Sequence, residues 1–242
     1  MRLAIMQPYF FPYVGYFQLI AAVDLFVVYD DVQFIKNGWI NRNRILLNEA
    51  AAWITLPVER GHLQDNINQR HFVTYKPACA KIINQLEAAY RKAPCFREIK
   101  SLVESLLALE EDNVAGTLKR QLEELSRRLG LSTKFLNSTD LKKPEVALGG
   151  QDRVIEICCA KQAGEYYNSM GGVPLYDPAA FAQAGITLRF LQPRLQTYKQ
   201  FDNAFVSNLS IIDALMFNGL AQVSSMLREF DLVDKPTTCF DQ

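Results

Sequence analysis

The chain has 242 residues, 49% of them hydrophobic, long enough to bury a substantial core in one α/β domain with room for an insertion. Lys plus Arg and Asp plus Glu both number 26, and the resulting net charge of zero argues against a general attraction to nucleic acid or anionic lipid. No run approaches the roughly 20 apolar residues of a membrane span, and the five cysteines form no CxxC pair, so a cytoplasmic protein with reduced thiols and no bound metal is expected.

In chain order, Leu3 to Met6 is a short apolar run that reads as a buried strand, because Pro8 and Pro12 prevent a helix from continuing it. An aromatic loop follows, Pro8 to Gly15, and then a helix from Tyr16 to Ala22 and a second strand, Leu25 to Tyr29. This is a βαβ unit, whose ligands sit at the carboxyl ends of its strands. Gln7, Tyr9, Tyr13, Gly15 and Tyr16 stand at one such end, and Asp30 and Asp31 at the other. Lys36, Asn37, Trp39, Arg42 and Arg44 come within the next dozen or so residues, a polar density that a structural loop does not require.

Trp39 to Leu47 and Ala52 to Val58 are joined by Asn48, Glu49 and Ala50, as in a β-hairpin. Arg42 and Arg44 then share a face, and two guanidiniums on one face suit a phosphate or carboxylate. The alternative, that they pair with Asp30 and Asp31, stays open. Residues 59 to 76 form a polar loop with both histidines, His62 and His71, of which His71 is the better-placed general base.

Three amphipathic stripes follow: Ile82 to Tyr90, Phe96 to Leu107, and Val114 to Leu129 with Asn113 as cap and Gly130 as stop. With no strand between them, residues 76–130 read as a helical insertion between an α/β unit with a hairpin (1–75) and a C-terminal part that completes the same sheet (131–242). In that last part Lys134 to Ser138, Glu165 to Asn168 and Ile186 to Leu191 read as strands, and Asp152 to Ala163 and Pro178 to Ala184 as helices. The fold expected is α/β, a mainly parallel sheet with helices on both faces. Ser138 follows one strand; Asn168, Ser169, Gly171 and Gly172 end another in a turn that would admit an anion or sugar to the backbone. Ser210 and Asp213 have the spacing of a capping box for a final helix.

Three blocks, QPYFFPYVGYFQLI, YDDVQFIKNGW and INRNRI, resemble the opening of the WbqC-like family of bacterial proteins from O-antigen and other surface-polysaccharide gene clusters. Tyr90 to Pro94, Gln151 to Arg153, Tyr167 to Tyr176, Tyr198 with Gln200, and LSIIDALMFNG extend the resemblance over roughly residues 3 to 220. Thr139, where a second serine is usual, and Lys199, where proline is usual, depart from the family pattern. The first forty residues also resemble the nucleotide-binding half of the adenylylating superfamily, with Tyr13 and Tyr16 in place of two histidines around a glycine. A phenol is neutral at pH 7 and cannot replace their positive charge; Lys36, Arg42 and Arg44 are the cations at hand.

The resemblance implies a protein of O-antigen or lipopolysaccharide synthesis, and with the polar residues above the most concrete reading is an enzyme that transfers an acyl or aminoacyl group onto an amino sugar or nucleotide-linked sugar. Asp30, Asp31 or His71 would be the base, and Gln7, Tyr9, Tyr13, Gly15, Tyr16, Lys36, Asn37, Trp39, Arg42, Arg44, Ser138, Asn168, Ser169, Gly171 and Gly172 would bind substrate. ATP or a nucleotide-linked sugar is the expected small molecule, and a homodimer is a further expectation. Two alternatives are a glycosyltransferase using a nucleotide sugar and a non-catalytic sugar-nucleotide-binding protein of the same pathway.

Overall fold

The chain runs through β1 (Arg2–Met6), α1 (Val14–Ala22), β2 (Leu25–Val28), a hairpin of β3 (Arg42–Leu47) and β4 (Ala50–Thr55), and three helices, α2 (Tyr75–Tyr90), α3 (Phe96–Leu107) and α4 (Val114–Arg128). It continues through β5 (Lys134–Asn137), α5 (Gly150–Ala160), β6 (Glu165–Ser169), α6 (Pro178–Gln183), β7 (Thr187–Pro193), α7 (Ile211–Met226) and β8 (Phe230–Val233). The structure is a computed structural model and describes residues 1–142, 148–194, 197–202 and 204–235. Cys239 lies outside the described residues; Cys79, Cys95, Cys158 and Cys159 are free thiols.

Six strands form one sheet in the order β5-β2-β1-β6-β7-β8, parallel except for β8. Numbered by their succession in the sheet this is 3-2-1-4-5-6, the order of doubly wound nucleotide-binding sheets. From β1 the chain builds outward through β2 to β5, then crosses back and builds the other way from β6. Between β1 and β6 lies the topological switch point, where a crevice opens at the carboxyl ends of the strands.

Both faces are covered, as expected for parallel strands. Leu3, Ile5, Leu25 and Val27 point to α5 and α6, against Val154, Ile157 and Phe181. Their neighbours Ala4, Phe26 and Val28 point the other way, to α1, α7 and the three central helices. Helix α1 is buried almost all round because it is wedged between the sheet and α7. Its Gln18 is fully enclosed and donates from Nε2 to Met226 O and Glu229 O, 2.9 Å each.

The details differ from the sequence pattern in several places. The hairpin turn is shorter than expected: Asn48 and Glu49 take the positive φ of 50° and 63° that a two-residue type I′ turn needs, so β4 starts at Ala50. Helix α5 spans Gly150 to Ala160, and Gln162 at φ 53° turns the chain before Gly164. Gly171 and Gly172 lie within a 3₁₀ helix, Met170–Leu175, and not in a tight turn. Strand β8 was not anticipated; α7 runs past Phe217 to Met226 with a kink where Gly219 adopts φ 72°.

The capping box is half right. Ser210 Oγ accepts from Ile212 N at 3.3 Å, but the Asp213 carboxylate turns inward and accepts from Tyr90 Oη, Tyr198 Oη and Gln200 Nε2 at 2.8, 2.7 and 2.6 Å. Tyr90 Oη in turn accepts from Leu46 N at 2.8 Å. One fully buried carboxylate thus ties α2, α7, the hairpin and the segment before α7 together.

Candidate functional site

A cleft of about 630 Å³ opens at the switch point, lined by Met6 and Ser169 from the ends of β1 and β6 and by Pro193 from the end of β7. Tyr9, Pro12, Tyr13, Gly15 and Tyr16 come from the aromatic loop and the start of α1, Trp39, Asn43 and Arg44 from the hairpin side, and Asn208 from the approach to α7.

The loop holds its shape because its carbonyls are claimed. Asn43 Nδ2 donates to Phe10 O at 3.0 Å and Phe11 O at 2.9 Å, Ser210 Oγ donates to Phe11 O at 2.7 Å, and Ile211 N donates to Pro12 O at 2.9 Å. Phe10 and Phe11 turn inward and are buried, while Tyr9 and Tyr13 remain in the cleft wall. Tyr16 Oη donates to Gln7 O at 2.7 Å. Gly15 is needed for close approach: a Cβ there would lie 2.4 Å from Tyr13 Cε2.

Two sources of positive potential meet here. The first turn of α1 has neither a side-chain cap nor an acidic residue; Tyr16 N donates to Tyr13 O at 3.0 Å, which leaves the N–H groups of Val14 and Gly15 and the positive end of the dipole for the cleft. Arg44 supplies the second: its Nη2 is 3.4 Å from Asn208 O, and its buried Nε has no acceptor among the described residues. Burial raises the pKa of Tyr9, Tyr13 and, most strongly, Tyr16, so these phenols are neutral at pH 7.

Arg42 is engaged differently. Its Nε donates to Gly38 O at 3.1 Å and its Nη2 to Asn37 O, so it pins the turn before β3. Neither Arg42 nor Arg44 is in an ion pair among the described residues, which sets aside their pairing with Asp30 and Asp31.

Those two aspartates form a second cluster, between the ends of β2 and β5. Asp30, 2% exposed, accepts from Ser138 Oγ at 2.8 Å, Thr139 N at 3.0 Å and Thr139 Oγ1 at 2.6 Å. Ser138 Oγ is also 2.5 Å from Asp31 Oδ1, and its single proton serves one carboxylate at a time. Arg153 Nη2 approaches Asp31 Oδ2 only to 3.9 Å and has no hydrogen-bond partner among the described residues, while Nη1 pairs with Glu156. Tyr29 adjoins this group; burial, then the Asp31 charge, push its phenol up to about 12.

The remaining candidates lie elsewhere. Asn168 points to the opposite face of the sheet, with Nδ2 donating to Tyr166 Oη at 2.6 Å, and it leaves no room for a Cβ on Gly172, which would fall 2.6 Å from its Oδ1. Gly171 lies two residues beyond Ser169 and is not among the residues lining the cleft; a Cβ there would meet Ser169 Oγ at 3.8 Å. Lys36 and Asn37 are exposed. His71 is held by Asp112 O, 2.5 Å from Nδ1, and is not among the residues lining the cleft. Sequence reasoning met Asn43 only within the polar run after Asp31 and Arg153 only within the block from Gln151 to Arg153, gave neither a role, and passed over Asn208. Alternation along β3 offered a signal for Asn43, which lies inward between two outward arginines; no local pattern marks the other two as partners of the site.

The model of the WbqC-like protein family matches residues 7–225. A protein of Mycobacterium tuberculosis, described only as uncharacterized, is 33% identical over 230 residues, covering 94% of this chain and 97% of its own. No solved structure matches the chain. Among the described residues, no helix is long and apolar enough to cross a membrane.

Proposed function

We propose, for a chain that belongs to the WbqC-like protein family, that the switch-point cleft binds a nucleotide-linked amino sugar and that the protein transfers an acyl or aminoacyl group to the sugar's amine. The observation that carries this reading is the meeting, in one cleft, of the uncapped start of α1 with the under-used guanidinium of Arg44. Together they suit a phosphate. The ring faces of Tyr9 and Tyr13 beside them suit a sugar, and Ser169 offers a hydroxyl at the end of β6.

In the transfer, the amine attacks the carbonyl carbon of an activated acyl donor. A C–N bond forms, the bond to the leaving group breaks, and the surplus amine proton passes to a base. Among the described residues the cleft lining offers no carboxylate or imidazole, so solvent takes the proton; Asp30 and Asp31 belong to the separate cluster between β2 and β5, where Asp30 already accepts three protein hydrogen bonds and serves to lock those strands together. The same saturation disfavours metal-dependent glycosyl transfer through Asp30. ATP enters only where the donor is a free acid that needs activation.

A non-catalytic binding protein of the same pathway is the second reading. It is favoured by the cleft wall itself, whose lining is aromatic, amide and guanidinium, without a carboxylate or imidazole. A mass-spectrometric screen of nucleotide-linked amino sugars against acyl donors, with and without ATP, separates the two. A product heavier by the acyl group supports transfer; binding without turnover across the panel supports the second reading.

A further inference from the structure

The chain has only two tryptophans, and they stand side by side on the outer face of the hairpin. Trp39 precedes β3, Trp53 lies on β4 directly opposite Arg44, and their ring centroids are 5.2 Å apart at a 39° tilt. They are 37% and 41% exposed, whereas Ile45, Leu46 and Ile54 of the same hairpin are buried in the core. Two large aromatic rings together at a surface are more than the packing of this hairpin requires.

The arginines complete the pattern. The Arg42 guanidinium stacks 4.1 Å from the Trp53 ring centroid, and that of Arg44 lies 5.4 Å from the Trp39 centroid. Cation and ring therefore alternate along one strip, with no carboxylate paired to either cation among the described residues. The strip is also fixed in place. Arg42 holds Gly38 O, and Phe10 N donates to Trp39 O at 3.2 Å, so the backbone of Trp39 is fastened to the aromatic loop that lines the cleft.

Resting on the reading of the cleft given above, we propose that the Trp39–Trp53 strip is the stacking subsite for the nucleobase. A planar aromatic ring that carries phosphates matches a strip of indoles and guanidiniums; a neutral sugar uses the indoles but has no need of the cations. Trp39 and Arg44 belong to both the strip and the cleft. The ligand then lies with its base outside the sheet on the hairpin, its phosphates between Arg44 and the start of α1, and its linked sugar towards Ser169. The hairpin, which is no part of the main sheet, thereby acts as the base clamp.

Because the pair is the whole tryptophan complement, intrinsic tryptophan fluorescence reports on this strip alone. The protein is titrated with the diphosphates of adenosine, guanosine, cytidine, uridine and thymidine and with inorganic pyrophosphate, by fluorescence and by calorimetry in parallel. At least one nucleoside diphosphate should bind with heat and with a change in tryptophan emission, and pyrophosphate should bind without that change. Trp53→Ala should weaken the nucleoside diphosphate about tenfold and leave pyrophosphate affinity as it was, while Trp53→Phe, which keeps a ring, should recover most of the loss. Heat from a nucleoside diphosphate with unaltered emission, and with affinity indifferent to Trp53→Ala, would place the base elsewhere and overturn the proposal while sparing the cleft. No heat from any of the probes would sink the reading of the cleft, and this proposal with it.

Discussion

Arg44 has a buried Nε with no acceptor among the described residues, a poor arrangement for a residue whose role is structural. An anion in the cleft would complete it. Arg44→Gln should therefore lower nucleotide affinity roughly ten- to hundredfold and move the melting temperature by no more than a few degrees, as checked by calorimetry and thermal denaturation. Asp213 is the opposite kind of residue. Burial raises its carboxyl above the usual range, partly offset by the hydrogen bonds from Tyr198, Tyr90 and Gln200. With the folded value above the unfolded one, the folded state binds the extra proton, and this group's contribution to stability falls as pH rises from the unfolded value through the folded one. Asp213→Asn abolishes that titration but mismatches one donor, at a cost of about 1–3 kcal/mol. The melting-temperature gap between wild type and variant should then be widest in acid and narrow as pH rises from about 4; a gap that widens instead contradicts the assignment. The sequence suggested a cap here because Ser210 lies at the right spacing. The partner that matters, Tyr90, is 123 residues away, beyond any local rule.

The start of α1 is the element on which binding depends, and Gly15 tests it with little disturbance to the fold. Alanine is the better helix former, yet a methyl at this position would meet the Tyr13 ring at 2.4 Å and force it to swing. Gly15→Ala is expected to keep or slightly raise thermal stability while nucleotide affinity drops at least severalfold; equal losses of both would show that the glycine serves the helix and not the cleft. The strand, loop and helix here were legible because two prolines and an apolar run leave the chain few options. Boundaries were less so. The hairpin turn uses Asn48 and Glu49 at positive φ without a glycine to announce it, and β8, four residues long, is specified by its antiparallel pairing with β7 rather than by any pattern of its own.

At the scale of the whole molecule, alternating strand and helix signals implied a parallel sheet, and five of its six strands were readable from short apolar runs. Their order was not, because nothing local says that β5, which follows three helices, returns to pair with β2. That order is what places Met6 beside Ser169 and makes a switch point. Strand pleating separates residues that the shared carboxyl ends of parallel strands would be expected to bring together: Tyr9, Tyr13, Arg44 and Ser169 share the cleft, whereas Asn168 faces the other side of the sheet, since neighbouring strand residues point opposite ways. A second cavity of about 530 Å³, lined by Arg2, Asp24 and Lys134, lies at the amino ends of the strands and is the natural competitor for a ligand. Backbone hydrogen exchange decides between them. On addition of UDP-N-acetylglucosamine and related nucleotide-linked sugars at saturating concentration, exchange should slow in the peptides spanning Tyr13 to Phe17, Trp39 to Arg44 and Ser169 to Gly172; protection confined to the segments around Arg2, Asp24 and Lys134, or none from any sugar nucleotide tested, would contradict the assignment of the switch-point cleft as the ligand site.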